Sequence, residues 1–223
     1  MFSYYGSKSK IINYYPVPKF PIIIEPFCGS ARYSLKYYEK ECWLNDSYKV
    51  ISDVWEWIIN ATSSQINKIP ILKRGDDLRL VEGIDEKLRL LMGFIVNSGV
   101  EKPRNIVTQW REEKQEFKRH IKKLQNYCGK LKHWKVTNID YNNLPDIEAT
   151  WYIDPPYQEI NVSKKQAYVH NKINYNELAE WCKSRKGQVI VCENSYAKWL
   201  PFIPLKEMHG QRHKTTEVIW TND

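Results

Sequence analysis

The run Phe20-Pro21-Ile22-Ile23-Ile24 leaves the chain few choices. It is too short for a helix that buries one stripe, and it shows no polar alternation. It suits a strand covered on both faces, as in a parallel sheet. Its surroundings agree. Glu25-Pro26-Phe27-Cys28-Gly29-Ser30-Ala31 reads as a loop of small residues, and Ser34 to Glu41 as a helix. Cys42 to Asp46 is a second short strand, and Tyr48 to Ile59 carries apolar residues at helical spacing. This β-loop-α-β-α order predicts an α/β fold with a Rossmann-like, doubly wound, mostly parallel sheet.

The pattern breaks after residue 60 and resumes near residue 134. HWKVTNID, ATWYID, GQVIVCEN and TTEVIWTN then read as strands. Asn174, with Glu177 in capping-box spacing, starts a helix that Gly187 is expected to close. In between, Asp85 to Val96 has helical spacing. Asn105 to Lys130 is amphipathic, with Trp110, Phe117, Ile121, Leu124 and Tyr127 on one stripe. Gly75-Asp76-Asp77 and the stretch from Gly99 to Pro103 read as breaks. The expected organisation is a discontinuous catalytic core, 1–60 and 134–223, with a basic, mainly helical inserted subdomain at 61–133.

Charge singles out the same insert. The chain of 223 residues carries a formal net charge of +8. Residues 61–133 hold 16 Lys and Arg against 9 Asp and Glu; the remainder holds 18 against 17. A basic surface concentrated in one segment fits a polyanion, since neutralising phosphates releases counterions. It also fits helix faces that Lys and Arg merely solvate.

The five cysteines form no CxxC pair and the five histidines show no ligand spacing, so neither a disulfide framework nor a metal site is expected. No apolar run reaches the roughly 18–20 residues that span a bilayer. MFSYYGSKSK lacks the apolar centre of a secretory leader. A cytoplasmic protein, in a prokaryotic or phage-infected cell, is the expectation.

Acids recur where the strands end. In doubly wound sheets the carboxyl edge binds ligands. Glu25 and the small residues Gly29, Ser30 and Ala31 follow the first strand; without a full GxGxxG the loop argues against a dinucleotide. Asp46, 17 residues after Gly29, can accept ribose hydroxyls or cap the next helix. Asp140 ends the third strand and, with Tyr141, suits an adenosine.

Asp154-Pro155-Pro156-Tyr157 ends the ATWYID strand. It can be a rigid turn. It can also hold a planar ring bearing an amine. The Asp154 carboxylate and the Pro155 carbonyl would accept the amine N–H groups. The two prolines fix φ, and Tyr157 offers a stacking face.

The ordered set YYGSK, EPFCGSA, WLND, NIDY and DPPY resembles the Dam-like class of S-adenosylmethionine-dependent DNA adenine-N6 methyltransferases. The resemblance covers both halves of the core and implies transfer of a methyl group from S-adenosylmethionine to a flipped-out adenine in double-stranded DNA. It implies that Tyr4, Gly6 and Lys8 form the N-terminal cofactor motif, with Lys8 near the methionine carboxylate. Glu25, Pro26, Phe27 and Gly29 would line the methionine and sugar, Asp46 the ribose, and Asp140 the cofactor adenine, while Asp154 to Tyr157 would hold the target. Ala31 departs from the family, which often has a second glycine there. The closing strand KTTEVIWTN is similar too, and Glu217 and Asn222 are expected to be structural.

Candidate DNA contacts in the insert are Arg104, Arg111, Lys114, Lys118, Arg119 and Lys122. Lys164, Lys165 and Tyr168, and Arg212, His213 and Lys214, are further candidates. A monomer is expected, with a restriction endonuclease, if any, encoded separately. RNA adenine or a protein amide as acceptor, and a non-catalytic nucleic-acid-binding module, are the alternatives.

Overall fold

In the computed structural model, residues 1–223 are described except 3, 5, 10, 98–99, 109–115, 159–172, 210–213 and 223; the side chains of 116, 208–209 and 214–215 are also outside the description. The first strand, β1 (Ile22–Glu25), leads into α1 (Arg32–Lys36), β2 (Glu41–Asn45) and α2 (Lys49–Asn60). Then come α3 (Ser63–Asn67), α4 (Glu86–Ile95) and α5 (Glu116–Tyr127). The chain returns to the sheet with β3 (Lys135–Thr137), a 3-10 turn (Tyr141–Asn143) and β4 (Ala149–Ile153). It closes with α6 (Tyr175–Ser184), β5 (Gly187–Asn194), β6 (Ile203–His209) and β7 (Lys214–Thr221).

The strands form one sheet in the order β3-β2-β1-β4-β5-β7-β6. The five from β3 to β5 are parallel; β7 runs antiparallel to both β5 and β6. The order reverses between β1 and β4, which is where a doubly wound sheet opens a crevice. This is the Rossmann-like α/β fold expected from the apolar runs.

The pleat sends alternate residues to two cores. Ile23, Tyr152, Ile190 and Cys192 join the larger cluster with Ile51 and Trp55 of α2. Ile24, Trp151, Val189 and Val191 join the smaller one with Leu178 and Cys182 of α6. The helices of the 61–133 segment share the larger cluster: Leu91 and Phe94 of α4 and Leu124 of α5 pack there. Of the expected stripe, Leu124 is buried and Phe117, Ile121 and Tyr127 are half-buried, while Trp110 lies outside the described residues. Asp85 caps α4 by accepting the Leu88 N–H at 2.8 Å, and Thr62 and Gln65 form a capping box on α3.

Several boundaries differ from expectation. The first helix is Arg32–Lys36 rather than Ser34 to Glu41. In 105–130, only Glu116–Tyr127 is described as helix; Ile106 instead bridges Asp77. Asp140 does not end a strand. It lies three residues past β3 and caps the 3-10 turn, accepting the Asn142 N–H. Gly187 does not close α6, which ends at Ser184; it opens β5 at φ 95. A Cβ there would lie 2.2 Å from the Ala149 carbonyl oxygen, so the close approach of β5 to β4 requires glycine. The strand β6 was not expected. Its two charges and Pro204 blur the alternation, and an edge strand tolerates proline.

Candidate active site

The carboxyl ends of β1, β2 and β4 face one cavity of about 470 Å³. It is lined by all ten residues expected to bind a cofactor: Tyr4, Gly6, Lys8, Glu25, Pro26, Phe27, Gly29, Asp46, Asp140 and Tyr141. Asp154 and Pro156 line the same space; Pro155 and Tyr157 do not.

Asp46 serves both of its readings. Its Oδ2 accepts the Gly29 N–H at 3.0 Å and its Oδ1 the Tyr48 N–H at 3.0 Å. It thereby ties the β1–α1 loop to the start of α2 while facing the cavity, and burial raises its pKa to about 6. Gly29 has φ 43, and an added Cβ would sit 3.0 Å from the Tyr4 ring. Ala31 also takes a left-handed conformation, φ 43 and ψ 51. That geometry explains why glycine suits the position, since a Cβ there costs about 1 kcal/mol.

Glu25 is buried and accepts the Ser34 N–H at 2.7 Å; burial pushes its pKa up to about 8. Asp140 is exposed at the cavity mouth. Tyr141 packs on Phe27 at 5.3 Å and edge-on to Trp181 at 5.2 Å, giving the cavity an aromatic wall.

At the other end stands Asp154, on the residue after β4. Its Oδ1 lies 2.9 Å from the Lys8 ammonium. Lys8 is thus turned to the DPPY acid in this structure. It also lies 4.3 Å from the centre of the Tyr157 ring, covering one face of it, and 3.8 Å from Glu217. Burial raises the Asp154 pKa to about 6: desolvation and the nearby Glu217 outweigh the pairing with Lys8. Burial alone would lower the Lys8 pKa, but Asp154 and Glu217 together raise it, so Lys8 stays charged. The Pro156 carbonyl accepts the Tyr175 hydroxyl at 2.8 Å. Among the described residues none is seen donating to the Pro155 carbonyl.

Asn45 and Glu193, which sequence reading did not assign, and Glu217, expected only to be structural, organise these parts. Asn45 is fully buried; its Nδ2 donates to the Pro26 and Ile139 carbonyls at 3.1 and 3.0 Å, joining the loops after β1 and β3. Glu193, at the end of β5, accepts the Gln158 N–H at 2.6 Å and pins the chain just past Tyr157. Glu217 of β7 accepts the Tyr157 hydroxyl at 2.5 Å and the Tyr15 hydroxyl at 2.6 Å. For Glu193 and Glu217 the visible signal was an acid inside an apolar strand, which is costly to bury without partners.

The insert residues Arg104, Lys118, Arg119 and Lys122 are exposed and do not line the cavity. On α5 the three basic residues lie opposite the Phe117, Ile121 and Leu124 stripe that faces the core. Arg111, Lys114, Lys164, Lys165, Tyr168, Arg212 and His213 lie outside the described residues, as does the side chain of Lys214. Among the described residues there is no cluster of three or more His, Cys, Asp or Glu able to hold a metal. None of their helices is long and apolar enough to cross a membrane.

No family model matches the chain, and no curated protein matches it. Among solved structures, 27 chains match. One is described as "Putative methyltransferase yhhF from Escherichia coli"; it is 8% identical, with a TM-score of 0.37, over 95% of this chain and 78% of that one.

Proposed function

We propose that the protein transfers a methyl group from S-adenosylmethionine to the exocyclic N6 amine of an adenine flipped out of double-stranded DNA. One observation carries the reading. The Asp154-Pro155-Pro156-Tyr157 turn ends a central strand beside a cavity whose opposite walls present Asp46, Asp140 and Tyr141.

The donor set fits such a cofactor. A cavity of about 470 Å³ is within the usual range for ligands of this size. Asp46 suits vicinal hydroxyls, and Asp140 an adenine amino group. Phe27 and Tyr141 suit its ring, and the small residues 28–31 allow close approach of backbone. When bound, S-adenosylmethionine supplies an electrophilic methyl group.

The chain's own contribution is to prepare the amine. An adenine N6 lone pair is delocalised into the ring and attacks poorly. Asp154 and the Pro155 carbonyl accept its two N–H bonds, which favours a more tetrahedral nitrogen. The stiff Pro-Pro backbone presets both acceptors, so little reorganisation remains at the moment of reaction. Ionised, Asp154 accepts more strongly than its protonated form and can receive the proton that N6 sheds after transfer. The exposed cations of α5 and Arg104 supply the phosphate contacts that bring duplex DNA to this edge.

The test is to incubate duplex DNA with methyl-labelled cofactor and map the modified bases by sequencing, with RNA and protein as parallel acceptors. Label on adenine N6 of duplex DNA is expected, and none with Asp154→Ala. Labelling of RNA or protein alone would replace the acceptor, and cofactor binding without any transfer would reduce the protein to a binding module.

A further inference from the structure

Glu217 reaches the site from β7, two strands across the sheet from β4. It lies on β7, opposite Asn194 of β5 and Lys206 of β6, and only 8% of its surface is exposed. Its Oε1 accepts two tyrosine hydroxyls from segments far apart in sequence: Tyr15, at 2.6 Å, and Tyr157, at 2.5 Å. Among the described residues nothing donates to its Oε2. Lys8 stands between two carboxylates, 2.9 Å from Asp154 and 3.8 Å from Glu217.

That arrangement solves a difficulty in the proposed reaction. An incoming amine that donates to the Asp154 carboxylate competes with the Lys8 ammonium, which already holds its Oδ1. A buried ammonium left without an anion is severely destabilised. Glu217 offers a second anion only 3.8 Å away, within a short side-chain movement.

We infer that Glu217 is a positioning residue: it holds Tyr157 by its hydroxyl and takes over the Lys8 ammonium when the target amine occupies Asp154. This rests on the methyl-transfer reading above and extends it to a residue that touches neither cofactor nor target.

The charges around Asp154 are few. Lys8 is the one cation paired with it among the described residues. Glu25 from β1, Glu193 from β5 and Glu217 from β7 are the neighbouring acids. Tyr15, Tyr152, Tyr157 and Cys192 also face the cluster, and burial raises all four so that they stay protonated.

Glu217→Gln keeps an acceptor oxygen and removes the charge, while Glu217→Asp keeps the charge. Followed by carbon-13 NMR of its carboxyl, Asp154 should titrate near 6 in the wild type. The midpoint should fall in E217Q, where a neighbouring negative charge is gone, and stay close to wild type in E217D. The rate of methyl transfer at saturating substrates should fall about 10- to 100-fold in E217Q, with cofactor affinity unchanged, and recover in E217D. A residue that merely braces β7 would not show a rate lost in E217Q and regained in E217D. Either an unmoved midpoint or a wild-type rate in E217Q overturns the inference.

The titration needs no turnover, so the two possible failures are distinct. A wild-type protein that methylates nothing, yet shows the shifted midpoint, sinks the transferase reading and leaves the Glu217–Asp154 coupling. An active wild type with an unshifted midpoint sinks the inference alone. Should E217Q not fold, Lys8→Met in the wild-type background replaces it: the Glu217 carboxyl resonance must then move, and an unmoved resonance overturns the proposal.

Discussion

Single carboxylates dominate this site because burial sets their chemistry. Asp154 is ionised above about 6 and neutral below. Under the proposed reaction, methyl transfer should therefore fall as pH drops through 6; a rate profile flat down to pH 5 would remove Asp154 from its acceptor role. Asp154→Asn should cost at least about 100-fold in rate while leaving the melting temperature and cofactor affinity near wild type, measured by calorimetry. Glu25 carries a different signature. Its folded pKa is raised to about 8 from an ordinary 4.5. A raised carboxyl pKa means the folded state binds the proton more tightly than the unfolded state, so stability is lost as pH rises between those values. Glu25→Gln keeps an oxygen for the Ser34 N–H and removes the charge. Its melting temperature should gain on wild type from pH 5 to about 8 and then level off; a constant difference across that range would show that Glu25 is not titrating there.

Strands and loops decide how these residues meet. Glu25 and Asn45 are the last residues of β1 and β2, and Asp154 directly follows β4, so three parallel neighbours deliver their ends to one edge. The spacing between strands, not any local signal, sets the distance across the cavity. Gly187 guards that spacing: with φ 95 and the Ala149 carbonyl 2.2 Å from a built Cβ, Gly187→Ala must push β5 away from β4 or unwind its first residue. A loss of roughly 3 kcal/mol or more in denaturant unfolding is expected, and a loss below about 0.5 kcal/mol would mean the approach is not tight. Short elements were the hardest to read. The helix α1 is five residues long and begins at a left-handed alanine, so periodicity could not mark its start. The strand β6 carries Pro204, Lys206 and Glu207 at the sheet edge, where solvent removes the demand for an apolar pattern. By contrast, Asp85 to Val96 matched α4 to within its caps, because a side-chain cap and two turns of apolar spacing coincide there.

Across the whole molecule, the basic insert and the cavity are separate features on one fold. The insert helices pack into the same core as α2, while Lys118, Arg119 and Lys122 remain in solvent on α5. If α5 meets phosphates, replacing all three with Gln should flatten the salt dependence of duplex binding by about two to three in slope and leave cofactor affinity alone. An unchanged slope would move the nucleic-acid interface elsewhere. The fold class was legible in the sequence because buried parallel strands have to be written as continuous apolar runs, and such runs are hard to mistake. The acids at strand ends were legible for a related reason: charge at the edge of an apolar run needs a purpose. Tertiary structure alone decided the rest. It brought Lys8 to Asp154 across 146 positions of sequence, made Asn45 a joint between two loops, and carried Glu217 from the final strand to Tyr157. Those contacts depend on sheet order, and sheet order is set by how helices cover the two faces, a global packing balance that no local stretch of residues records.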